Sequence, residues 1–101
     1  MKIPNDTAII LFGYNRPSHL MRVIIALEDY NIKGIHLFLD GPKNLKDRAI
    51  QKQIIFIVKQ SKNINFTLYK SQKNLGIAKS INRGLNLISK KYKKMIIIED
   101  D

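Results

Sequence analysis

Met95-Ile96-Ile97-Ile98-Glu99-Asp100-Asp101 runs four apolar residues directly into three carboxylates. The three β-branched isoleucines favour a strand, and an unbroken apolar run is the pattern of a strand buried on both faces. Such a strand cannot carry three carboxylates with it, so they are expected where it emerges, at its C-terminal end. In an open α/β sheet that edge is where ligands bind, which places the acids to hold a metal ion or sugar hydroxyls. The alternative is a solvated chain end.

The chain upstream alternates between two periods. Thr7-Ala8-Ile9-Ile10-Leu11-Phe12 is a second continuous apolar run, ended by Gly13-Tyr14-Asn15-Arg16-Pro17. Leu20, Val23, Ile24 and Leu27 then fall at helical spacing over 17–30, with Pro17 in the first turn and Asn15 or Ser18 as a cap. Ile35-His36-Leu37-Phe38-Leu39-Asp40 reads as a strand turned by Gly41-Pro42. Asn44 with Asp47 has the spacing of a capping box, and Ile50, Ile54, Ile57 and Val58 form one face of the next helix. Asn65-Phe66-Thr67-Leu68-Tyr69 alternates as a strand. Asn74 and Gly76 open a third helix with Ile77, Ile81, Leu85 and Ile88 on one side.

Strand and helix thus alternate as β-α-β-α-β-α-β, with crossovers long enough for parallel pairing. The expected fold is α/β, an open, mainly parallel four-stranded sheet with helices on both faces. Residues 1–101 form one domain. In parallel strands all C-terminal ends share one rim, which gathers Tyr14, Asp40, the loop from Lys73 to Gly76 and the closing carboxylates. A rim with an aromatic ring, an isolated carboxylate, a helix start and an acidic cluster suits a nucleotide carrying a metal-bound diphosphate.

Composition bounds the function classes. Hydrophobic residues at 45% and charged residues at 26% argue against disorder. No apolar run approaches the roughly 18 residues of a spanning helix, and the first residues lack a signal peptide's apolar core. The absence of cysteine rules out disulfides and thiolate metal sites. A cytoplasmic location is expected. The formal charge of +10 favours phosphates or anionic surfaces. The lysines are dispersed without interleaved aromatics, which disfavours nucleic acid as a partner. Lys90-Lys91-Tyr92-Lys93-Lys94 is the exception, suited to peripheral contact with the inner face of a membrane and equally to a basic helix end.

Single residues carry more than one reading. Tyr14 can stack on a base or pack on its own helix, and Asp40 can accept from a base or ribose, or brace its own turn. Glu99 and Asp101 share a side if the strand persists, with Asp100 on the other. His19 reads as a helix-surface residue and His36 as strand packing. Gly-x-Gly-x-x-Gly and Gly-Lys-Ser/Thr loops are absent from the sequence, which argues against dinucleotide redox chemistry and a P-loop ATPase.

Phe12-Gly13-Tyr14-Asn15-Arg16-Pro17, Leu39-Asp40-Gly41, the segment from Asn74 to Gly84, and Glu99-Asp100-Asp101 together resemble the nucleotide-sugar half of family 2-like glycosyltransferases with the GT-A fold. The resemblance implies a Rossmann-like half-domain that binds a nucleotide-sugar donor. Tyr14 would face the base, usually uracil, with Asn15 and Arg16 beside it, and Asp40 would bond the base or ribose. Glu99-Asp100-Asp101 would be the Asp-x-Asp motif in its Glu-Asp-Asp form, with Asp101 binding Mn2+ or Mg2+ on the diphosphate. Lys73 and Arg83 are the cations expected near the phosphates, while Gly76 and Gly84 serve helix entry and close packing. The implied reaction transfers a sugar from a nucleotide diphosphate, UDP by analogy, to a hydroxyl of a glycan or lipid-linked acceptor. The catalytic base and acceptor site are expected downstream of residue 101, so this stretch is expected to be a truncated donor half, inactive alone. The alternative is a non-catalytic nucleotide-binding or protein-interaction α/β domain. A receiver-like domain fits less well, because Gly13-Tyr14 stands where its acidic pair belongs.

Overall fold

The computed structural model describes residues 2–100, so Asp101, the expected metal ligand, lies outside the described residues. Four strands, β1 (Thr7–Gly13), β2 (Gly34–Leu39), β3 (Asn65–Lys70) and β4 (Lys94–Glu99), alternate with helices α1 (Pro17–Asp29), α2 (Leu45–Gln60) and α3 (Ile77–Ile88). The strands pair in the order β3-β2-β1-β4, every pair parallel. This is the expected α/β architecture.

Alternation along the central strands divides the core into two layers. Ile9 and Leu11 of β1 and Ile35, Leu37 and Leu39 of β2 face α1 and α2, where Leu20, Ile24, Leu27, Ile54 and Val58 pack on them. Ala8, Ile10, Phe12 and Phe38 face the other way, against Ile88 and the flanks of Ile81 and Leu85 on α3. Helices therefore cover both faces. Burial of an isoleucine as complete as that of Ile10 contributes about 1.5–3 kcal/mol, and β1 and β2 supply most such residues.

Local chemistry sets the helix starts. Asn44 caps α2, its side-chain oxygen accepting the backbone N–H of Asp47 at 2.8 Å. At α1 the cap position is Arg16 with Pro17 in the first turn, and neither Asn15 nor Ser18 caps the helix. Gly76 precedes α3 with φ of 82°, a left-handed conformation that glycine adopts without steric cost. Ser80, Gly84 and Ile88 form the buried stripe of α3, while Ile77 is 61% exposed. The apolar face read from Ile77 is thus rotated. The cause is Gly84, where a Cβ would lie 2.8 Å from the Phe12 ring, so the helix turns its smallest residue towards the sheet.

The closing strand departs from expectation. Its apolar run predicts burial, yet Ile96 and Ile97 are 43% and 44% exposed and only Met95 and Ile98 pack partly on the core. Among the described residues β4 pairs on one side only, with β1, so it is an edge strand with apolar side chains on both faces.

Candidate functional site

The strand order creates a switch point that the sequence alone does not reveal. From β1 the chain crosses to β2 on one side, and from β3 it crosses back over the sheet to β4 on the other. Helix α1, which follows β1, and helix α3, which precedes β4, lie on opposite faces of the sheet, so the carboxyl ends of these two neighbouring strands lie between them. A cleft of about 330 Å3 opens there. Phe12 and Phe38 provide its apolar part, Tyr14 and Lys43 one wall, Gly76, Ile77 and Ser80 another, and Glu99 and Asp100 the end of β4.

Tyr14 is held from both ends. Its hydroxyl donates to Asp47 Oδ2, and its backbone carbonyl accepts from Gln51 Nε2 at 3.0 Å. The Lys43 ammonium stands 5.9 Å from the centre of the ring. Burial, together with the bond to Asp47 and its charge, pushes the phenol up to about 12. The same bond, with one from Asn15 Nδ2 at 3.2 Å, holds the Asp47 carboxyl below the usual carboxylate range.

Asp40 lines the cleft but its carboxylate is engaged. Oδ1 accepts the backbone N–H of Gly41 at 2.7 Å and of Leu75 at 2.8 Å; Oδ2 accepts that of Gly76 at 3.1 Å and Asn74 Nδ2 at 3.3 Å. A carboxylate has about four acceptor positions, and these bonds fill them. Of the two roles open to Asp40, the structure displays the brace, extended from its own turn to the start of α3.

Glu99 and Asp100 take opposite sides of β4, as strand alternation requires. Glu99 is exposed, whereas Asp100 is half-buried beside Gly13, with its Oδ2 buried and unbonded. Burial raises the Asp100 pKa, the charges of Arg16 and His19 pull it down, and Glu99 adds to the rise. Among the described residues no three carboxylates or imidazoles converge as a ready-made metal cage. The fit is to a cation that arrives with its ligand: Mg2+-type sites commonly use one or two carboxylates plus substrate phosphates. In a chain of net charge +10, this cleft is lined by Asp40, Glu99 and Asp100 against Lys43, a poor match for a bare anion.

The other expected site residues lie apart. Asn15 is turned to Asp47, and Arg16 reaches Asp100 electrostatically from the start of α1. Lys73 is exposed and outside the cleft lining, though its backbone packs against Gly41. Arg83 is 5.9 Å from the Phe38 ring and 3.5 Å from the Lys70 carbonyl, also outside the lining. His36 is away from the cleft, bonded to the Tyr69 hydroxyl at 2.9 Å and edge-on to Tyr92; burial, aided by Lys91, pushes its pKa down. Lys43, Asp47 and Gln51 were not anticipated. A lone lysine carries no signal, and a carboxylate three residues after an asparagine reads as capping alone.

A larger hollow of about 740 Å3 lies at the opposite rim, between Lys2, Asn31, Thr67 and Tyr92. It is at the N-terminal ends of the strands, away from the switch point. The smaller cleft has the better claim on position.

Comparison of the chain with protein-family models, curated proteins and solved structures returns no match. No helix among the described residues is long and apolar enough to cross a membrane.

Proposed function

We propose that residues 1–101 are the donor-binding part of a metal-dependent glycosyltransferase, holding a nucleotide diphosphate sugar, UDP-linked by analogy, at the switch-point cleft. One observation carries the reading: Tyr14 with Lys43, the first turn of α3, and Glu99 with Asp100 surround a single cleft outside the carboxyl ends of β1 and β4.

Each group has a part in the proposal. The Tyr14 ring offers a face to the base. The Lys43 ammonium supplies positive charge beside it. The diphosphate extends towards Glu99 and Asp100. Asp101, supported by Glu99, would hold Mn2+ or Mg2+. The metal, when bound, neutralises charge on the departing diphosphate. Asp40 serves by locking the α3 start against the end of β2. These residues bind the donor, and the proposed acceptor is a hydroxyl of a glycan or lipid-linked molecule. Contact with a membrane surface through the basic residues around Tyr92 belongs to the same proposal.

Amide NMR with UDP and Mg2+ tests the location. Shift changes centred on Gly13, Tyr14, Lys43, Ile77 and Glu99, sparing Asn31 and Thr67, are expected. Changes confined to the hollow around Asn31 and Thr67 would refute it.

A further inference from the structure

Asp47 and Gln51 are buried polar residues on the first two turns of α2, one helical turn apart and so on the same side of the helix. Burying a carboxylate and a carboxamide there costs free energy unless each finds partners. Every partner they find is on a loop at the cleft rim. Asp47 accepts from the Tyr14 hydroxyl, from Asn15 Nδ2 at 3.2 Å and from the Lys43 backbone N–H at 3.2 Å. Gln51 Nε2 donates to the carbonyls of Tyr14 at 3.0 Å and Asp40 at 2.6 Å. One residue therefore grips the end of the Tyr14 side chain while the other grips its backbone.

From this geometry we infer that Asp47 is a positioning residue for the nucleotide site, acting through the Tyr14 hydroxyl to fix the ring at the cleft wall before ligand arrives. The inference rests on the donor-site proposal. With its hydroxyl engaged by Asp47, Tyr14 offers a ligand its ring face. A ring already fixed does not have to be ordered on binding, an advantage of roughly three- to tenfold in affinity for one immobilised side chain. The raised Tyr14 and lowered Asp47 pKa values are those expected of a phenol donating to an ionised carboxylate.

The test combines Asp47→Asn, Tyr14→Phe and the double variant, each checked for folding by circular dichroism. UDP affinity is measured with Mn2+, and ring-labelled tyrosine NMR follows the carbon bearing the Tyr14 hydroxyl, assigned by its loss in Tyr14→Phe. Asp47→Asn is expected to move that resonance while leaving those of Tyr30, Tyr69 and Tyr92, and to weaken UDP binding roughly three- to tenfold. Tyr14→Phe keeps the ring without the hydroxyl and should weaken binding to a similar degree. The double variant should bind no worse than the weaker single one. Full UDP affinity in Asp47→Asn, or losses that multiply in the double variant, would overturn the positioning role while leaving the donor site standing. A folded wild-type chain that binds no UDP would remove the donor site itself, and Asp47's role with it.

Discussion

The Asp40 carboxylate accepts the backbone N–H of Gly76 at 3.1 Å, joining the end of β2 to a residue 36 positions later in the chain. With the bonds from Leu75 and Asn74, it fixes where α3 begins and hence one wall of the cleft. Asp40→Ala leaves these donors without their acceptor. A loss of about 2–4 kcal/mol in denaturant unfolding is expected, with ligand affinity falling in parallel whether or not metal is present. Loss of affinity at unchanged stability would instead make Asp40 a direct ligand contact.

The same seam is tight at Gly41. A Cβ there would lie 2.4 Å from the carbonyl carbon and oxygen of Lys73, both backbone atoms that cannot rotate aside. Gly41→Ala should cost about 1–3 kcal/mol as an overpacked site, read from the unfolding midpoint. Gly34, where a Cβ meets nothing within 4 Å, is the control; Gly34→Ala should stay within about 0.5 kcal/mol of wild type or exceed it.

The bond between Tyr14 and Asp47 gives stability a defined pH dependence. The Asp47 carboxyl titrates below its ordinary value of 3.8 when folded, so its contribution is complete above that value and disappears as pH falls through the folded one. Tyr14 titrates at about 12 rather than 10.0, so its contribution is complete below 10.0 and disappears as pH rises through about 12. The stability difference between wild type and Tyr14→Phe should be flat across neutral pH and shrink at both extremes. Unfolding curves collected over pH measure it, and a difference changing steadily between pH values of about 6 and 8 would contradict the assignment.

Ile96 and Ile97 expose apolar surface on both faces of an edge strand. Such edges promote association between chains, and an inserted charge suppresses it. Ile97→Lys should reduce concentration-dependent association in sedimentation experiments and change stability by less than about 1 kcal/mol.

The sheet, its parallel strands and the faces of α1 and α2 were legible because burial imposes periodicity: Leu20, Ile24 and Leu27 recur at helical spacing and Thr7 to Phe12 is apolar throughout. Strand order was not legible. No local pattern says that β4 lies beside β1, so Ile96 and Ile97 read as buried when they stand at an edge. Tyr14, Glu99 and Asp100 meet at one cleft because strand ends share a rim, whereas Arg83 stands outside its lining. The Asp47 and Gln51 grip was invisible for another reason: Tyr14 and Asn15 lie more than 30 positions earlier in the chain, and only folding brings their loop to this helix face.

Calorimetric titration of the folded chain with UDP, with and without Mn2+, tests the donor-site proposal most directly. Saturable binding of one UDP per chain, tighter with Mn2+, is the expected result. No binding under either condition, by a sample shown to be folded, would contradict it.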